Sequence, residues 1–443
     1  MNLQPLLRAA LLVAPLTLAG QSASFDVALI GDTPYGAANE PKFERMIADI
    51  NRSGVQLAAH IGDTKNGSTR CDDAFYTKAL NWFNTFDMPV LYSLGDNEWT
   101  DCMRANNGAF DPLARLALAR KTYFPTNMSL GKNAVAVVRQ SDDAQYSLYV
   151  ENAMLVRGPV VFATIHVVGS NNNLEYKNTQ GSPNPFYDND AEFRARNTAN
   201  IAWLRKTFAL AKERNLLGIM LLLQANMFEQ FFDSGTGSTR SGYADFIAAL
   251  REEAKNFKGE VVLVSGDTHY MRVDKPLTDQ YPACTAATGE CKPFTAAEDA
   301  RGARLLNFTR VEVPGSNDVH WVLCHVRPNS RNLFTFEFMI MPDAPSTGVT
   351  PVVTAPGNTI TNNSLETTTS QLVLDASRST STNTGALTYK WSYSPGYAVP
   401  GIARGDTATP LIQLSQIGTY QLTLTVTDRT GATGNSTVTI LRR

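Results

Sequence analysis

Four short apolar runs in this chain each end in Gly-Asp. Val27–Ile30 leads to Gly31-Asp32, Leu57–Ile61 to Gly62-Asp63, and Val90–Leu94 to Gly95-Asp96. Val261–Val264, followed by Ser265, leads to Gly266-Asp267, and His269 follows two places on. Each run has the length and composition of a buried strand. The glycine reads as the residue that lets the chain turn sharply at the strand's end. Helix-like stretches separate the first three runs, the pattern of parallel strands. Open α/β sheets carry their ligand sites at the carboxyl edge, so Asp32, Asp63, Asp96 and Asp267 are expected to meet there. One Gly-Asp alone would be only a turn; four of them after four buried strands point to a shared site. Carboxylates brought so close disfavour one another's ionisation, and a divalent cation is the usual means of holding them.

The elements that must position these residues follow from periodicity. Asn39 to Ser53 carries Phe43, Met46, Ile47 and Ile50 at helical spacing, with Gly54 as a stop. Asp72 or Asp73 would cap a helix running to Phe86, and another helix is expected over Phe110 to Tyr123. Strands are expected at Ala134–Arg139, Tyr146–Val150 and Val160–Val168. Helices follow over Asp190–Asn215 and Tyr243–Phe257, with a strand at Leu216–Leu223 ending at Gln224. Leu305–Val313, Val319–Val326 and Leu333–Ile340 complete the domain as strands. The polar loops Thr64–Asp73, Thr100–Phe110 and Asn171–Asn189 would carry specificity.

The chain has 443 residues and a net charge of −2, with no polybasic patch, so nucleic acid is not suggested as a partner. Arg8, the apolar run Ala9–Ala19 and the small residues after it read as a secretory signal over residues 1–24, with a retained anchor as the alternative. Beyond it no run is long enough to span a membrane. The five cysteines fit an oxidising compartment. Cys71–Cys102 and Cys284–Cys291 are the expected pairs, and Cys324 is expected to be a buried free thiol. A Pro/Thr/Ser/Gly-rich linker over residues 342–356 separates the domain at 25–341 from a Ser/Thr-rich segment at 357–443. There Tyr420, Leu422, Leu424 and Val426 alternate with polar residues, as in a β-sandwich.

The C-terminal segment resembles a PKD-type immunoglobulin-like domain. The resemblance rests on Leu374–Ser379, Leu387–Trp391 and Gly418–Asp428 with Gly431; it implies a structural or adhesive module with Trp391 in its core. Residues 25 to about 340 resemble the calcineurin-like metallophosphoesterases in the order and spacing of their motifs. That resemblance implies a mixed α/β, four-layer sandwich of two sheets flanked by helices, and hydrolysis of phosphate mono- or diesters by metal-activated water. Carried over position by position, the metal ligands would be Asp32, Asp63, Asp96, Gln224, Asp267 and His269. Asp63 would bridge, and Asn97 would stand where the family's histidine steadies the phosphate. The sequence departs from the family at Pro34, Asp96, Asn97, Gln224 and Asp267, five positions where the family has histidine or, at Asp96, asparagine. One nitrogen among six ligands favours Mg, Mn or Ca over Zn or Fe, with one or two ions per chain. Tyr35, His60, Tyr270 and Arg272 lie close enough in sequence to compensate, and His166 ends a strand, with a place in the site as the alternative to a core or loop role. His60, His166, His320 and His325 are otherwise expected to be structural. The expected protein is thus a secreted, periplasmic or cell-surface phosphoesterase of a small phosphate ester. The alternative is a catalytically impaired relative that binds a glycan or protein at the cell surface.

Overall fold

The structure is a computed structural model that describes residues 23–174, 186, 188–228, 241–280, 302–341, 349–382, 385–394, 396–429 and 431–443. Two sheets lie face to face in the first domain. One has the order β12-β11-β1-β2-β3, built from β1 (Phe25–Ile30), β2 (Leu57–His60), β3 (Val90–Tyr92), β11 (Trp321–Val326) and β12 (Phe334–Met339). The first three are parallel, and β11 runs antiparallel to β1. The other has the order β4-β5-β6-β7-β8-β10-β9. Its strands are β4 (Val138–Arg139), β5 (Ala153–Arg157), β6 (Val160–Thr164), β7 (Gly218–Leu222), β8 (Glu260–Ser265), β9 (Arg272–Asp274) and β10 (Phe308–Glu312). Strands β6, β7, β8 and β10 are mutually parallel.

Alternation along each strand sorts its side chains into two layers. Val27, Leu29, Leu57, Ala59 and Leu91 meet Phe162, Met220, Leu222, Val262, Val264 and Val311 between the sheets. The other face of the first sheet, Ala28, Ile30, Ala58, Val90 and Tyr92, packs on α1 (Glu40–Arg52), α2 (Asp73–Phe83) and α3 (Pro112–Tyr123). The other face of the second sheet, Val161, Ala163, Ile219, Leu221, Val261 and Leu263, packs on α4 (Asn189–Glu213) and α5 (Ala244–Lys255). Burial on both faces explains why these strands read as unbroken apolar runs. The four-layer α/β sandwich is the expected architecture. The four Gly-Asp strands, however, divide between the two sheets, three in one and β8 in the other.

Three local expectations need correction. Tyr146–Val150 is not a strand: Asp143 accepts from the Gln145 amide at 3.0 Å and starts a short 3-10 turn at Ala144–Tyr146. Ala134–Arg139 contributes only β4. The missed strand is β5, which pairs antiparallel with β6 across a turn whose Gly158 has φ +53°.

The C-terminal sandwich comprises three sheets. One has the order β14-β21-β20-β17, with β14 (Ser364–Thr367), β17 (Thr388–Tyr393), β20 (Gly418–Thr427) and β21 (Thr433–Arg442). The next is β15-β19-β18, from β15 (Gln371–Val373), β18 (Gly401–Ala403) and β19 (Leu411–Gln413). The third pairs β13 (Val349–Thr350) with β16 (Thr380–Ser381). Val349, inside the stretch expected to be linker, is buried in the sandwich core with Trp391, Tyr420, Leu422, Leu424 and Val426.

Cys71 and Cys102 form a disulfide, and Cys324 is a buried free thiol. Cys284, Cys291 and the expected signal segment up to residue 22 lie outside the described residues. No described helix is long and apolar enough to cross a membrane. The disulfide closes a sequence separation of 31 residues, and closing a loop of that size restricts the unfolded chain by about 3–4 kcal/mol. Replacing both cysteines with serine is expected to lower stability by about that amount, read as a fall in the denaturant midpoint, with m rising as the unfolded chain is freed.

Candidate metal centre

The carboxyl ends of β1, β2, β3 and β8 bring the four aspartates together. Ligand oxygens of Asp63, Asp96 and Asp267 lie within 4.8 Å of one another. The backbone amide of Asp267 donates to both oxygens of Asp32 at 3.1 Å, which ties the two sheets together at this point. Asp32 and Asp63 are 0% and 2% exposed.

Of the four glycines, Gly62 carries the left-handed backbone of a sharp turn, with φ +107°. The aspartates themselves carry left-handed backbone, with φ of 50° at Asp32, 56° at Asp63 and 72° at Asp267. Gly95 and Gly266 instead make room. A Cβ at Gly95 would collide with Asp63 Oδ1, and one at Gly266 with Asp32 Oδ2. Each of these glycines is thus the gap into which the carboxylate of a neighbouring strand fits.

Neutral donors fill the space between the charges. Gln224 Nε2 donates to Asp63 Oδ2 at 3.2 Å, Asp96 Oδ1 at 3.2 Å and Asp267 Oδ1 at 3.1 Å. Its Oε1 accepts from the Gly169 amide at 2.6 Å. Asn97 Nδ2 donates to Asp63 Oδ2 at 2.7 Å and to Tyr35 Oη at 3.2 Å. The Tyr35 hydroxyl donates to Asp63 Oδ2 at 3.1 Å and Asp32 Oδ1 at 3.4 Å. His269 is a third exposed, and its Nε2 stands 3.6 Å from Asp32 Oδ1. All seven sequence-derived site residues therefore lie in one cluster.

The compensating residues divide. Tyr35 is in the cluster. His60 is buried behind it, with Nε2 3.1 Å from the Thr33 carbonyl, and burial lowers its pKa to about 4, so it is neutral. His166 is a core residue, with Nδ1 2.7 Å from Glu151 Oε1. Arg272 Nε stands 3.7 Å from Glu312 Oε2. His320 is buried, and His325 pairs with Asp26 at 2.8 Å.

Other participants were missed. Ser170 donates to Asp96 Oδ2 at 2.7 Å from a turn in which Ser170, Asn171, Asn172 and Asn173 all have φ between 52° and 66°. Asparagine tolerates that conformation better than most residues, so the Asn run was the available signal. Glu98 accepts from the amides of Asp63 at 3.1 Å, Thr64 at 2.6 Å and Gly95 at 2.9 Å, fixing two of the Gly-Asp loops together. Buried Glu312 accepts from the Thr268 hydroxyl and from the Tyr270 amide, holding the loop that carries Asp267 and His269.

Residues 353–441 match the family model of the PKD domain. The first domain is a four-layer α/β sandwich. Its marks are two face-to-face mixed sheets, helices outside, and carboxylates at the strand ends. The chain is similar to three solved structures. The inner-membrane-complex anchor GAP50 of Plasmodium is 11% identical, covering 72% of this chain and 85% of that one, with a TM-score of 0.40. A dimetal phosphatase from Danio rerio is 10% identical, covering 81% and 96%, TM-score 0.39. A purple acid phosphatase from yellow lupin seeds is 12% identical, covering 73% and 52%, TM-score 0.38. Among curated proteins none matches this chain in sequence.

The residues fit a divalent cation. Burial, and then the surrounding carboxylates, push Asp32 and Asp63 well above the usual carboxylate range. Charge of the opposite sign removes that penalty. Turning the Gln224 amide about its last bond would aim Oε1 at the same three carboxylates, the orientation a cation requires. For the metal-free protein the sign follows. A carboxyl whose pKa is raised on folding contributes stability below its unfolded value of 3.8, and this is lost as pH rises through the folded value. Chelated protein is expected to melt at lower temperature at about pH 8 than at about pH 5, and a divalent ion to reverse that loss. Calorimetric scans at the two pH values, with and without the ion, provide the check.

Proposed function

We propose that this chain is a secreted metal-dependent phosphoesterase acting on a small phosphate ester. The observation that carries the reading is the triad of buried Asp63 and Asp96 with half-buried Asp267, whose ligand oxygens converge from two sheets. Asp32, His269 and the oxygen of Gln224 complete the proposed ligand set, and its oxygen-rich chemistry favours Mg, Mn or Ca. Bound there, a divalent ion supplies Lewis-acid stabilisation of phosphoryl charge and lowers the pKa of water.

The chain's own groups do the rest. Asn97 Nδ2 and the Tyr35 hydroxyl are fixed donors beside Asp63, suited to hold a phosphoryl oxygen. Neither transfers a proton readily: an amide has none to give, and burial with the nearby carboxylates raises the Tyr35 phenol well above its usual value. Burial keeps His269 below the usual imidazole value, so at neutral pH it is neutral, the form that binds a cation. The disulfide and the PKD domain support an extracellular setting, with the PKD domain as the surface that would meet a glycan or protein partner.

A second reading, binding without turnover, is favoured by one observation. The Gln224 amide nitrogen, a donor, faces the three carboxylates at the place where a cation would need an acceptor. Elemental analysis of the mature protein, with a nitrophenyl phosphate assay across Mg, Mn, Ca, Zn and Fe, separates the two. The hydrolase reading expects a stoichiometric ion and ion-dependent turnover. Asp63→Asn is expected to lower kcat by at least about 10²-fold, the scale of losing one preorganised electrostatic group. Turnover that survives Asp63→Asn would remove the site assignment, and metal binding with no turnover under any ion would establish the second reading.

A further inference from the structure

The PKD domain touches the first domain at the wall of the carboxylate site. Gly396 has φ +97° and lies against the Tyr270 ring, so close that a Cβ there would stand 2.5 Å from Tyr270 Cε1. The adjacent Tyr397 donates its hydroxyl to Asp318 and accepts from Gln421 Nε2 at 3.3 Å. A third contact, Asn362 Nδ2 to Glu337 Oε1 at 2.6 Å, seats the domain on β12.

Both first-domain partners belong to loops that line the site. Tyr270 follows His269 directly, and its amide is held by Glu312 at 3.2 Å. Asp318 closes a tight turn on the Gly315 carbonyl at 3.1 Å. From that turn the Ser316 amide donates to the Asp32 carbonyl at 2.8 Å, and Gly315 packs on Asp32 Cβ and on the His269 ring. Asn39 Nδ2 joins this turn to the Tyr35 carbonyl, at 3.5 Å from Ser316 O and 2.9 Å from Tyr35 O.

These same loops hold backbone that resists its own conformation. Asp267, His269 and Ser316 have φ of 72°, 67° and 60°. Such residues are disfavoured and persist only when their surroundings over-determine them. Inside the first domain, Glu312 restrains one loop and Asp32 the other. Outside it, the restraint is Gly396 and Tyr397.

We infer that Gly396 and Tyr397 of the PKD domain are positioning residues that brace the His269 loop and the Gly315–Asp318 turn, making the domain part of the site's wall. The domain is then no separable adhesive appendage. Its turn sets where His269 and Asp32 stand relative to the other carboxylates.

The test is hydrogen exchange read by mass spectrometry on the full chain, metal-free and without substrate, so its result does not depend on the hydrolase reading. Tyr397→Phe removes one hydrogen bond to a carboxylate, and exchange over residues 266–272 and 314–320 is expected to accelerate about tenfold. Gly396→Val, which forces Tyr270 aside, is expected to accelerate the 266–272 segment at least as much. Strand β1 is expected to exchange as in the wild type in both variants. Wild-type exchange at both loops in both variants would overturn the inference. So would acceleration confined to the sandwich strands, since that is what a role within the PKD domain alone would give. In the ion-supplemented assay, Tyr397→Phe is expected to lower kcat at unchanged melting temperature, and Asp318→Asn to lower it similarly. An unchanged kcat in both variants would likewise count against the brace.

Discussion

Four carboxylates share one buried place, and their repulsion is the constraint to which the surrounding structure responds. Two unit charges a few ångströms apart in a poorly polarisable interior repel by several kcal/mol. Asp32 and Asp63 are almost wholly buried, so water cannot screen them. What can be seen answering this is a shell of donors: the Gln224 and Asn97 amides, the Tyr35 and Ser170 hydroxyls, and the backbone amide of Asp267. None of these carries a full positive charge. They orient the carboxylates without neutralising them, which leaves an electrostatic demand that a cation is suited to meet.

The demand is sustained by the apolar layers beneath. The three cores, one between the sheets and one outside each, make the strand ends rigid. Rigid strand ends allow aspartates to stay where they repel one another. The left-handed φ of Asp32, Asp63 and Asp267 follows, because each side chain must leave its strand and fold back over a neighbouring loop. Gly95 and Gly266 follow too, since a methyl group at either would occupy the neighbour's carboxylate position. Glu98 and Glu312 extend the same logic outward, each collecting amide or hydroxyl donors from a loop that carries a site aspartate.

The Gly-Asp repeats made the site legible because two signals coincided: a strand-length apolar run, and the same polar pair at its end each time. Burial on both faces makes such runs conspicuous. The six proposed ligands and Asn97 fall into one cluster for that reason. Contacts that join distant segments were not legible. Nothing near Ser170 announces a partner 74 residues earlier, and Glu312 reads only as a charge ending a strand. Tyr146–Val150 has strand composition, but Asp143 offers the backbone a competing local hydrogen bond and the turn wins. Gly62 is a turn glycine with φ +107°, whereas Gly95 and Gly266 serve close approach; the two roles leave the same residue in the sequence, and only the neighbouring side chain distinguishes them.

Gln224 joins the carboxylates in a way that a histidine in its place could not. A histidine at this place would present one nitrogen to a metal and, when neutral, one N–H elsewhere. A glutamine amide presents two faces. Through Nε2 it bridges Asp63, Asp96 and Asp267; through Oε1 it would serve a hard cation while the same carboxylates turn toward the ion. The Gly169 amide now holding Oε1 at 2.6 Å belongs to the start of the left-handed turn whose Ser170 holds Asp96. Rotation of one amide would therefore be felt at both Gly169 and Asp96. An amide at this place couples the turn at Gly169 and Ser170 to the three carboxylates, whichever of its two atoms faces them.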